Sequence, residues 1–362
     1  MDKKDWTYRK LGEVCKTSSG GTPSKSHSEY YENGNIGWLR SGDIQHRITK
    51  SNAFITQLGM DSSSAKMVFP GTVVLAMYGA TVGQVGILDI ATTTNQAVCS
   101  ITSDTLASDF LYYLLCGKKN YFLDVAVGGA QPNISQQIIK DTIIPIPPLP
   151  IQQRIVAELD CISTILEKKR QQLKELDNLA QAIFYDMFGD PVENEKGWEV
   201  KEFGDLIKLR SGQSLSAKNI VEGEFPVYGG NGIVGYHKEF NLEGNNIVIG
   251  RVGALCGNVR NVQGKIFVTD NAFILSKEEP IENVFLTSLL VLLNLRQYAR
   301  DAMQPVISNS TLRNIKVILP PLSLQQSFAA KIEAIEKQKE RISQSIKEVQ
   351  TLFDSRMQEY FG

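Results

Sequence analysis

The sequence has few of the residues from which catalytic and metal sites are usually built. It contains three histidines and five cysteines in 362 residues, with no C-x-x-C, H-x-x-x-H or H-E-x-x-H pattern. An odd number of scattered cysteines, without an apolar export signal after Met1, is typical of reduced thiols in a cytoplasmic protein. We therefore expect no disulfide frame, no metal site, no cofactor and no catalytic residue.

Long apolar runs and net charge are also missing. No apolar stretch reaches the roughly 18 residues that a membrane span needs. Lys and Arg number 38 against 39 Asp and Glu, which gives a net charge of −1. The balance holds regionally, with 13 basic and 12 acidic residues in 1–145 and 14 of each in 191–319. Such neutrality argues at first sight against a nucleic-acid-binding protein.

The glycine-rich stretches lack the context that nucleotide binding requires. The one G-x-G-x-x-G match, residues 230–235, is followed by residues without the apolar spacing of a helix, so a dinucleotide site is not expected. The glycines of 250–257 lack the Lys-Ser/Thr pair of a phosphate loop. The Asn/Asp-Pro-Pro-aromatic tetrapeptide of amino-methyltransferases is absent as well.

What the sequence does contain is an internal repeat. Motifs recur in the same order at a steady spacing, which indicates a tandem duplication of about 180 residues. The repeated blocks are Trp6 with Trp198, Ser19-Gly20 with Ser211-Gly212, Gly79-Ala80 with Gly253-Ala254, Gln131-Pro132 with Gln304-Pro305, Pro147-Pro148-Leu149 with Pro320-Pro321-Leu322, and Phe188-Gly189 with Phe361-Gly362. The distance between corresponding motifs of the two copies is 192 residues up to Gly20 and Gly212, and 173 residues from Gln131 and Gln304 onward. Most of the length difference between the copies therefore lies in one internal stretch of each copy.

Each copy begins with a mixed globular part. Short β-branched runs bounded by turn residues predict strands at 72–75, 84–88, 246–249 and 265–268. Apolar stretches at 110–123 and 284–298 predict one helix in each copy.

Each copy ends with about 40 residues that lack Gly and Pro and that follow a Pro-Pro-Leu sequence. Apolar residues alternate there in steps of four and three, which is typical of a coiled-coil seam. The predicted seams are Ile155, Leu159, Ile162, Leu166, Lys169, Leu173, Leu176, Ala180, Ile183 and Met187, and Phe328, Ile332, Ile335, Lys339, Ile342, Ile346, Val349, Phe353, Arg356 and Tyr360. Chain order makes the two helices antiparallel if they pair, holding the globular parts about 50 Å apart. The alternative is that each helix packs only on its own domain.

Together these motifs resemble the specificity subunit of type I restriction–modification systems over essentially the whole chain. The strings that carry the resemblance are Trp38-Leu39-Arg40-Ser41-Gly42-Asp43, Tyr78-Gly79-Ala80-Thr81-Val82-Gly83, Thr94-Asn95-Gln96-Ala97, Pro226-Val227-Tyr228-Gly229-Gly230-Asn231-Gly232, Thr269-Asp270-Asn271-Ala272 and the two Pro-Pro-Leu-x-x-Gln-Gln sequences. The second copy lacks the Trp-Leu-Arg-Ser-Gly-Asp string, so roles of Arg40 or Asp43 do not transfer to it.

The resemblance implies an α+β fold with two target-recognition domains and two long helices in an antiparallel coiled coil, related as a pseudo-twofold tandem repeat. The implied segments are target-recognition domain 1 at 1–149, helical spacer repeat 1 at 150–189, target-recognition domain 2 at 190–321 and helical spacer repeat 2 at 322–362. The implied role is non-catalytic: the chain reads a bipartite, asymmetric site on double-stranded DNA. The implied partners are two modification (methyltransferase) subunits that methylate adenine, together with restriction (motor-nuclease) subunits.

Candidate base-reading side chains follow from the chemistry of the DNA grooves. Arg and Lys donate to guanine, and Asn and Gln pair with adenine. The candidates are Lys25, Arg40, Arg47, Gln84 and Gln131 in the first copy, and Arg210, Gln213, Asn231, Lys238 and Arg251 in the second. For each of them the alternative, which is favoured for any one residue taken alone, is a solvated loop residue or a turn former. Two other functions stay open at this stage, an enzyme with an unrecognised active site and a purely structural adaptor.

Overall fold

A computed structural model describes residues 3–129, 131–300 and 305–362. The chain divides into two compact units, Met1–Lys169 with Ser345–Gly362, and Arg170–Gln344. Gln304, which belongs to the second copy of the repeated Gln-Pro block, lies outside the described residues. The segment boundaries predicted from the sequence stay a prediction, because these units cut each long helix in two.

The first unit is built around a five-stranded sheet with the strand order β2-β10-β7-β8-β4. A four-stranded sheet, β5-β3-β9-β6, and a two-stranded ribbon, β1-β11, complete it. The strands are β1 Thr7–Lys10, β2 Cys15–Ser19, β3 Ile36–Leu39, β4 Arg47–Ile48, β5 Phe54–Ile55, β6 Met67–Val68, β7 Val73–Ala76, β8 Val85–Leu88, β9 Thr92–Thr94, β10 Val98–Ser103 and β11 Ile143–Ile146. The helices that precede the long one are α1 Leu11–Val14, α2 Gln57–Asp61, α3 Ser108–Gly117, α4 Lys119–Asp124 and α5 Gln136–Asp141.

The second unit repeats this plan with fewer strands. Its main sheet has the order β13-β19-β16-β17, beside a three-stranded sheet, β15-β14-β18, and a ribbon, β12-β20. The long helix α6, Leu149–Phe188, precedes these strands. They are β12 Val200–Glu202, β13 Ile207–Ser211, β14 Phe225–Gly229, β15 Gly232–His237, β16 Asn245–Gly250, β17 Val259–Gln263, β18 Phe267–Val268, β19 Ala272–Lys277 and β20 Lys316–Ile318. The helices are α7 Phe203–Leu206, α8 Asn283–Leu292, α9 Asn309–Arg313 and the second long helix, α10 Leu322–Phe361.

The four predicted strands are present as β7, β8, β16 and β18, whereas both predicted domain helices are shorter than expected. The apolar stretch 110–123 forms α3 and α4 separately, because α3 ends at Gly117. In the second unit, Asn294 has a left-handed φ of 45°, which ends α8, and only a 3₁₀ turn follows at Leu295–Tyr298. Apolar content therefore identified the buried segments but not the breaks within them.

Both long helices have 40 residues, and they pack together within each unit. In the first unit the beginning of α6 meets the end of α10, with Ile155 and Leu159 buried beside Tyr360. In the second unit the end of α6 meets the beginning of α10, with Leu176 buried beside Ile335. The helices therefore run in opposite directions, and the predicted α+β fold with an antiparallel helix pair is confirmed.

Charged positions of the predicted seam form ion pairs between the two helices. Nζ of Lys339 lies 2.7 Å from Oδ1 of Asp177 in the second unit. Nε of Arg356 lies 2.8 Å from Oε1 of Glu158 in the first. Burial opposes the charge of Lys339, but Asp177 and Glu336 raise its pKa above the ordinary value. Pairing of this kind fixes the register of an otherwise apolar seam.

The repeated Pro-Pro-Leu-x-x-Gln-Gln sequences anchor each long helix to its globular part. The first glutamine of each pair is 1% exposed. Gln152 donates to the carbonyl oxygens of Pro147 (3.0 Å) and Thr105 (3.2 Å) and accepts from the amide of Ala107 (3.0 Å). Gln325 donates to Pro320 O (2.8 Å) and accepts from the amide of Glu282 (2.9 Å). A motif that pointed to the family is thus a structural clamp at the start of each helix.

Within the described residues, no helix combines the length and apolar character needed to span a membrane.

Candidate nucleic-acid interface

In the first unit, strand ends and turns from five parts of the chain lie side by side and are joined by backbone hydrogen bonds. We name this group the first loop cluster; it comprises residues 20–25, 40–43, 78–83, 95–97 and 131–133. Four backbone hydrogen bonds hold it, from the amides of Gly21, Asn95, Met77 and Gly79 to the carbonyl oxygens of Thr94 (2.9 Å), Leu39 (2.9 Å), Ala97 (2.8 Å) and Pro132 (2.8 Å), respectively. These segments carry three of the strings that gave the family resemblance.

The second unit has the same framework. Its second loop cluster comprises residues 212–214, 229–232, 251–257, 269–271 and 305–306. The amides of Gln213, Thr269, Arg251 and Gly253 donate to the carbonyl oxygens of Val268 (3.0 Å), Tyr228 (2.9 Å), Asn271 (3.0 Å) and Pro305 (2.9 Å), respectively. Since each of these bonds has its counterpart in the first unit, the two clusters are equivalent by geometry as well as by sequence.

Glycine is required at two pairs of positions in this framework. At Gly20 an added Cβ would lie 1.8 Å from Thr94 O, and at Gly212 it would lie 2.2 Å from Val268 O. Gly79 and Gly253 have left-handed φ values of 74° and 89°, which side chains disfavour. The repeated glycines therefore form close backbone approaches and turns.

Arg40 lies in the first loop cluster with a half-exposed side chain. Its Nε lies 3.0 Å from Oδ2 of Asp43, whose other oxygen accepts from Asn52 at 3.2 Å. Burial raises the pKa of Asp43, but the hydrogen bonds from Arg40 and Asn52 outweigh it and hold that pKa below the ordinary value. An ionised Asp43 orients the guanidinium while leaving part of it open to solvent.

Two glutamine candidates of the first unit differ in availability. The side-chain amide of Gln84 donates to Ile44 O at 2.5 Å and so ties two loops together. Gln131 is exposed and lines a cavity of about 250 Å³ with Tyr78, Pro132 and Asn133. Tyr78 has 43% of its surface exposed there. Gln131 and Tyr78 thus present polar and aromatic groups at one opening.

The remaining candidates of the first unit lie at its margin or outside it. Lys25 is exposed, three residues beyond Thr22, whose hydroxyl contacts the Gln96 side chain. Arg47 lies in β4 beside the far end of the β7–β8 hairpin, where its guanidinium pairs with Asp89 (3.1 Å) and Asp109 (2.5 Å). The structure therefore does not bring Arg47 to the first loop cluster.

In the second loop cluster, Arg251 is oriented by its neighbours. Its Nη1 donates to Oγ of Ser211 at 3.0 Å, and its guanidinium carbon lies 4.8 Å from the centre of the Phe273 ring. Nε is buried without a hydrogen-bond partner in the described part of the chain. Gln213 is exposed one strand away, and its carbonyl oxygen accepts from the amide of Asp270 at 3.1 Å. Arg251 and Gln213 are therefore neighbours, and both contact the backbone of Asp270.

Asn231 lies in the turn between β14 and β15 and is exposed. The G-x-G-x-x-G match forms this hairpin and no helix, as predicted. Gly232, with φ of 96°, leaves room for Arg260, because a Cβ there would lie 2.8 Å from Arg260 Nη2. Arg260 is exposed and was not among the candidates. No local pattern indicated it, because its contact with the turn is made between different sheets.

The last two candidates of the second unit lie apart from Asn231. Arg210 is exposed in β13, two residues before Gly212, and so borders the cluster. Lys238 follows β15 at the opposite end from Asn231, with Glu239 3.7 Å away. Since β15 spans six residues, Lys238 is about 20 Å from the hairpin turn.

In the described residues, no group of three or more His, Cys, Asp or Glu is placed to hold a metal ion.

Comparisons with known proteins show the family to which the chain is similar. A family model described as the type I restriction modification DNA specificity domain matches residues 3–177 and 195–351. The chain is 28% identical over 351 residues to the type I restriction enzyme EcoprrI specificity subunit of Escherichia coli, covering 91% of this chain and 87% of that protein. It is 30% identical over 239 residues to the MjaIX specificity subunit of Methanocaldococcus jannaschii, covering 60% of this chain and 55% of that one.

Solved structures show the same fold. The crystal structure of a type I restriction–modification S subunit from M. genitalium superimposes with a TM-score of 0.62 at 19% identity, covering 99% of this chain and 96% of that one. Because the family model matches most of the chain in two copies, one for each loop cluster, the chain belongs to the type I restriction modification DNA specificity domain family.

Proposed function

We propose that this chain is the non-catalytic subunit that reads a bipartite, asymmetric site on double-stranded DNA for a type I restriction–modification complex. Each loop cluster would read one half-site. The observation that carries the proposal is that two equivalent backbone frameworks hold different side chains. Geometry common to both would place DNA in the same way, while different donors would select different bases.

Equivalent positions of the two clusters carry different side chains, which supports the proposal. The amide that donates to residue 97 in the first unit belongs to Met77, which is buried, and its counterpart in the second unit belongs to Arg251. Arg40 directly follows Leu39 at the end of β3. The corresponding residue of the second unit is Gly229, which has no side chain and leads into the turn that carries Asn231. Two half-sites of different sequence are the natural consequence.

The charge balance supports a division of labour. Phosphate contacts provide most of the salt-dependent affinity of DNA-binding proteins, and that part of the affinity comes from Lys and Arg side chains. Neither globular part has an excess of basic residues beyond one. We infer that this chain supplies discrimination, while two modification subunits that methylate adenine supply much of the affinity. Restriction motor-nuclease subunits would join the same assembly, with no cofactor held by this chain.

Binding to DNA with and without modification subunits tests the proposal. Methylated adenines mapped in a host carrying the system would first give the recognised site. Duplexes with this site, and duplexes with each half-site scrambled, would then be titrated at physiological salt. We expect specific binding in the presence of modification subunits, lost when either half-site is scrambled. Tight, specific binding by the chain alone would contradict the shared affinity, and indifference to both half-sites would contradict the reading role.

A further inference from the structure

The main sheets of the two units differ at one edge. In the first unit the edge of β8 is covered by β4, which pairs with it in parallel through Arg47 opposite Ile87 and Ile48 opposite Leu88. The equivalent strand of the second unit is β17. Among the described residues, β17 pairs only with β16, so its other edge carries no strand. An uncovered edge presents backbone donors and acceptors to any chain that can add a strand.

The first unit shows how its covering strand is held. The amides of Ile87 and Asp89 donate to the carbonyl oxygens of His46 (2.9 Å) and Ile48 (3.0 Å). The Arg47 side chain extends over the sheet to Asp89 and Asp109, the second of which lies in α3. A short basic segment therefore occupies this edge through main-chain bonds and carboxylate pairs.

Aromatic side chains fill the space between this edge and the long helix of the first unit. The His46 ring stacks on Tyr112 with 4.2 Å between ring centres. Tyr113 donates from its hydroxyl to Asp160 of α6 at 2.6 Å. The space between α3, β8 and α6 is thus occupied by His46, which directly precedes β4, and by the two tyrosines of α3.

In the second unit the same space is an open cleft of about 620 Å³ between β17, α8 and α10. Thr287 and Ser288 of α8 line it where the first unit has Tyr112 and Tyr113. Asn261 and Gln263 line it from β17, and neither has a charge. Smaller side chains and a missing strand together account for the opening.

The cleft has the charge and the unpaired polar atoms of a binding site. Glu333, Glu336, Lys337 and Glu340 of α10 line one wall, and Glu333 corresponds to Asp160 of the first unit. Within the described chain, Oδ1 of Asn261 and Oγ1 of Thr287 are buried without hydrogen-bond partners. Such atoms cost free energy unless a partner satisfies them. Their position beside a net negative wall favours a ligand that donates hydrogen bonds and carries positive charge.

We propose that the edge of β17 and the adjoining acidic cleft bind an extended, basic segment of a partner protein as an added strand. The covering strand of the first unit is the internal template for this ligand. Main-chain hydrogen bonds to β17 would give affinity. A Lys or Arg of the ligand would lie opposite Asn261, in the way that Arg47 lies opposite Ile87 in the first unit. Its side chain would enter the cleft toward Glu333 and Glu340. None of the contacts of this site involves the residues of the second loop cluster, although Arg260, which borders the Asn231 turn, lies on the same strand.

A peptide that copies the internal template tests this site. The probe is the capped peptide Ile44-Gln45-His46-Arg47-Ile48-Thr49-Lys50, and the control peptide carries Arg47→Glu. Each is titrated into the full chain by fluorescence anisotropy, and amide hydrogen exchange of residues 259–263 is followed at saturation. We expect saturable binding with slower exchange in β17, at least tenfold weaker binding of the control peptide, and at least tenfold weaker binding to a Glu333→Lys, Glu340→Lys variant.

The exposed Glu193→Lys substitution, outside the cleft, is the matched control and should leave binding unchanged. Unfolding curves of all variants establish that the charge reversals leave the fold intact. Three results would overturn the proposal: no saturable binding of the template peptide, equal binding of both peptides, or protection of β8 instead of β17, which would mean that the peptide only displaces β4.

Discussion

The phenol oxygen of Tyr360 donates a 2.7 Å hydrogen bond to Oε2 of Glu158, although 202 residues separate the two in the chain. Both lie on the long helices, and Tyr360 packs in the same core as Ile155 and Leu159. Phe361 follows it with an edge-to-face contact on Phe110 at 5.5 Å. The end of the second helix therefore completes the core of the first unit.

Substitution of Tyr360 by Phe should destabilise the first unit in a pH-dependent way. Burial, and then the hydrogen bond to Glu158, raises the pKa of Tyr360 to about 12. The unfolded chain releases this proton near pH 10, so the contribution of Tyr360 is complete below pH 10 and is lost between about pH 10 and 12. We expect Tyr360→Phe to cost about 1–2 kcal/mol at pH 7.

The measurement is denaturant unfolding of both proteins from pH 7 to 12. The difference between parent and Tyr360→Phe should shrink above pH 10. If the difference in free energy of unfolding between the two proteins stays constant up to pH 12, the pKa of Tyr360 is not raised by folding.

Removal of the buried glutamine amides should loosen the long helices from their globular parts. Gln152→Ala leaves two carbonyl groups and one amide without their partner, and Gln325→Ala leaves one of each. We expect each to cost about 2–3 kcal/mol, read from denaturant unfolding of the full chain. The neighbouring Gln153 and Gln326 are exposed, and their alanine variants should stay within about 0.5 kcal/mol of the parent. Equal effects at buried and exposed positions would argue against the clamp.

Alanine at Asn231 or Arg260 should relax recognition of one half-site only. A side chain that pairs with a base edge contributes about 1–3 kcal/mol of discrimination, which is roughly 5- to 150-fold. We expect selectivity to fall at one position of the half-site read by the second unit, measured with duplexes in which each base pair is varied.

Exchange of residues 1–149 for a related domain should alter the other half-site alone. A change in both half-sites after either substitution would contradict independent readers.

A comparison of Arg40→Ala with Arg47→Ala distinguishes loop-cluster residues from the rest of the first unit. Arg40 lies in the first loop cluster, whereas Arg47 is held by two carboxylates at the far end of a hairpin. We expect Arg40→Ala to change the first half-site. We expect Arg47→Ala to lower the free energy of unfolding by about 0.5–1 kcal/mol, since its ion pairs are partly exposed. Loss of base selectivity in Arg47→Ala would place the interface elsewhere on this unit.

Matched deletion of one heptad from both long helices should shorten the gap between half-sites. Residues 170–176 and 340–346 form such a pair, because Asp177 lies opposite Lys339. Seven helical residues span about 10 Å, close to three base pairs of B-form DNA. Methylation mapping should therefore find a gap about three base pairs shorter, with both half-sites unchanged. An unchanged gap would contradict the expectation that the length of the long helices sets the distance between the two half-sites.

Some of this protein follows from the sequence by itself. The repeated blocks establish the duplication, and the four-three spacing predicts two long helices, because periodicity and motif order are properties of the chain alone. Gly20 and Gly212 are another case, since repetition of the glycine reflects the same close approach in both copies. The family resemblance rests on these local patterns and is confirmed by the family model.

Other features depend on contacts between distant segments. The sequence suggested ten base-reading candidates, and only the fold shows that Gln213, Asn231 and Arg251 lie in one loop cluster while Arg47 and Lys238 do not. Arg260 had no local signature, because its place beside Gly232 results from the packing of β17 against a hairpin. The uncovered edge of β17 is likewise visible only by comparison with β4 and β8. Chain periodicity determines which elements form, but the pairing of segments far apart in the chain decides which surfaces stay open, and that pairing belongs to the tertiary structure.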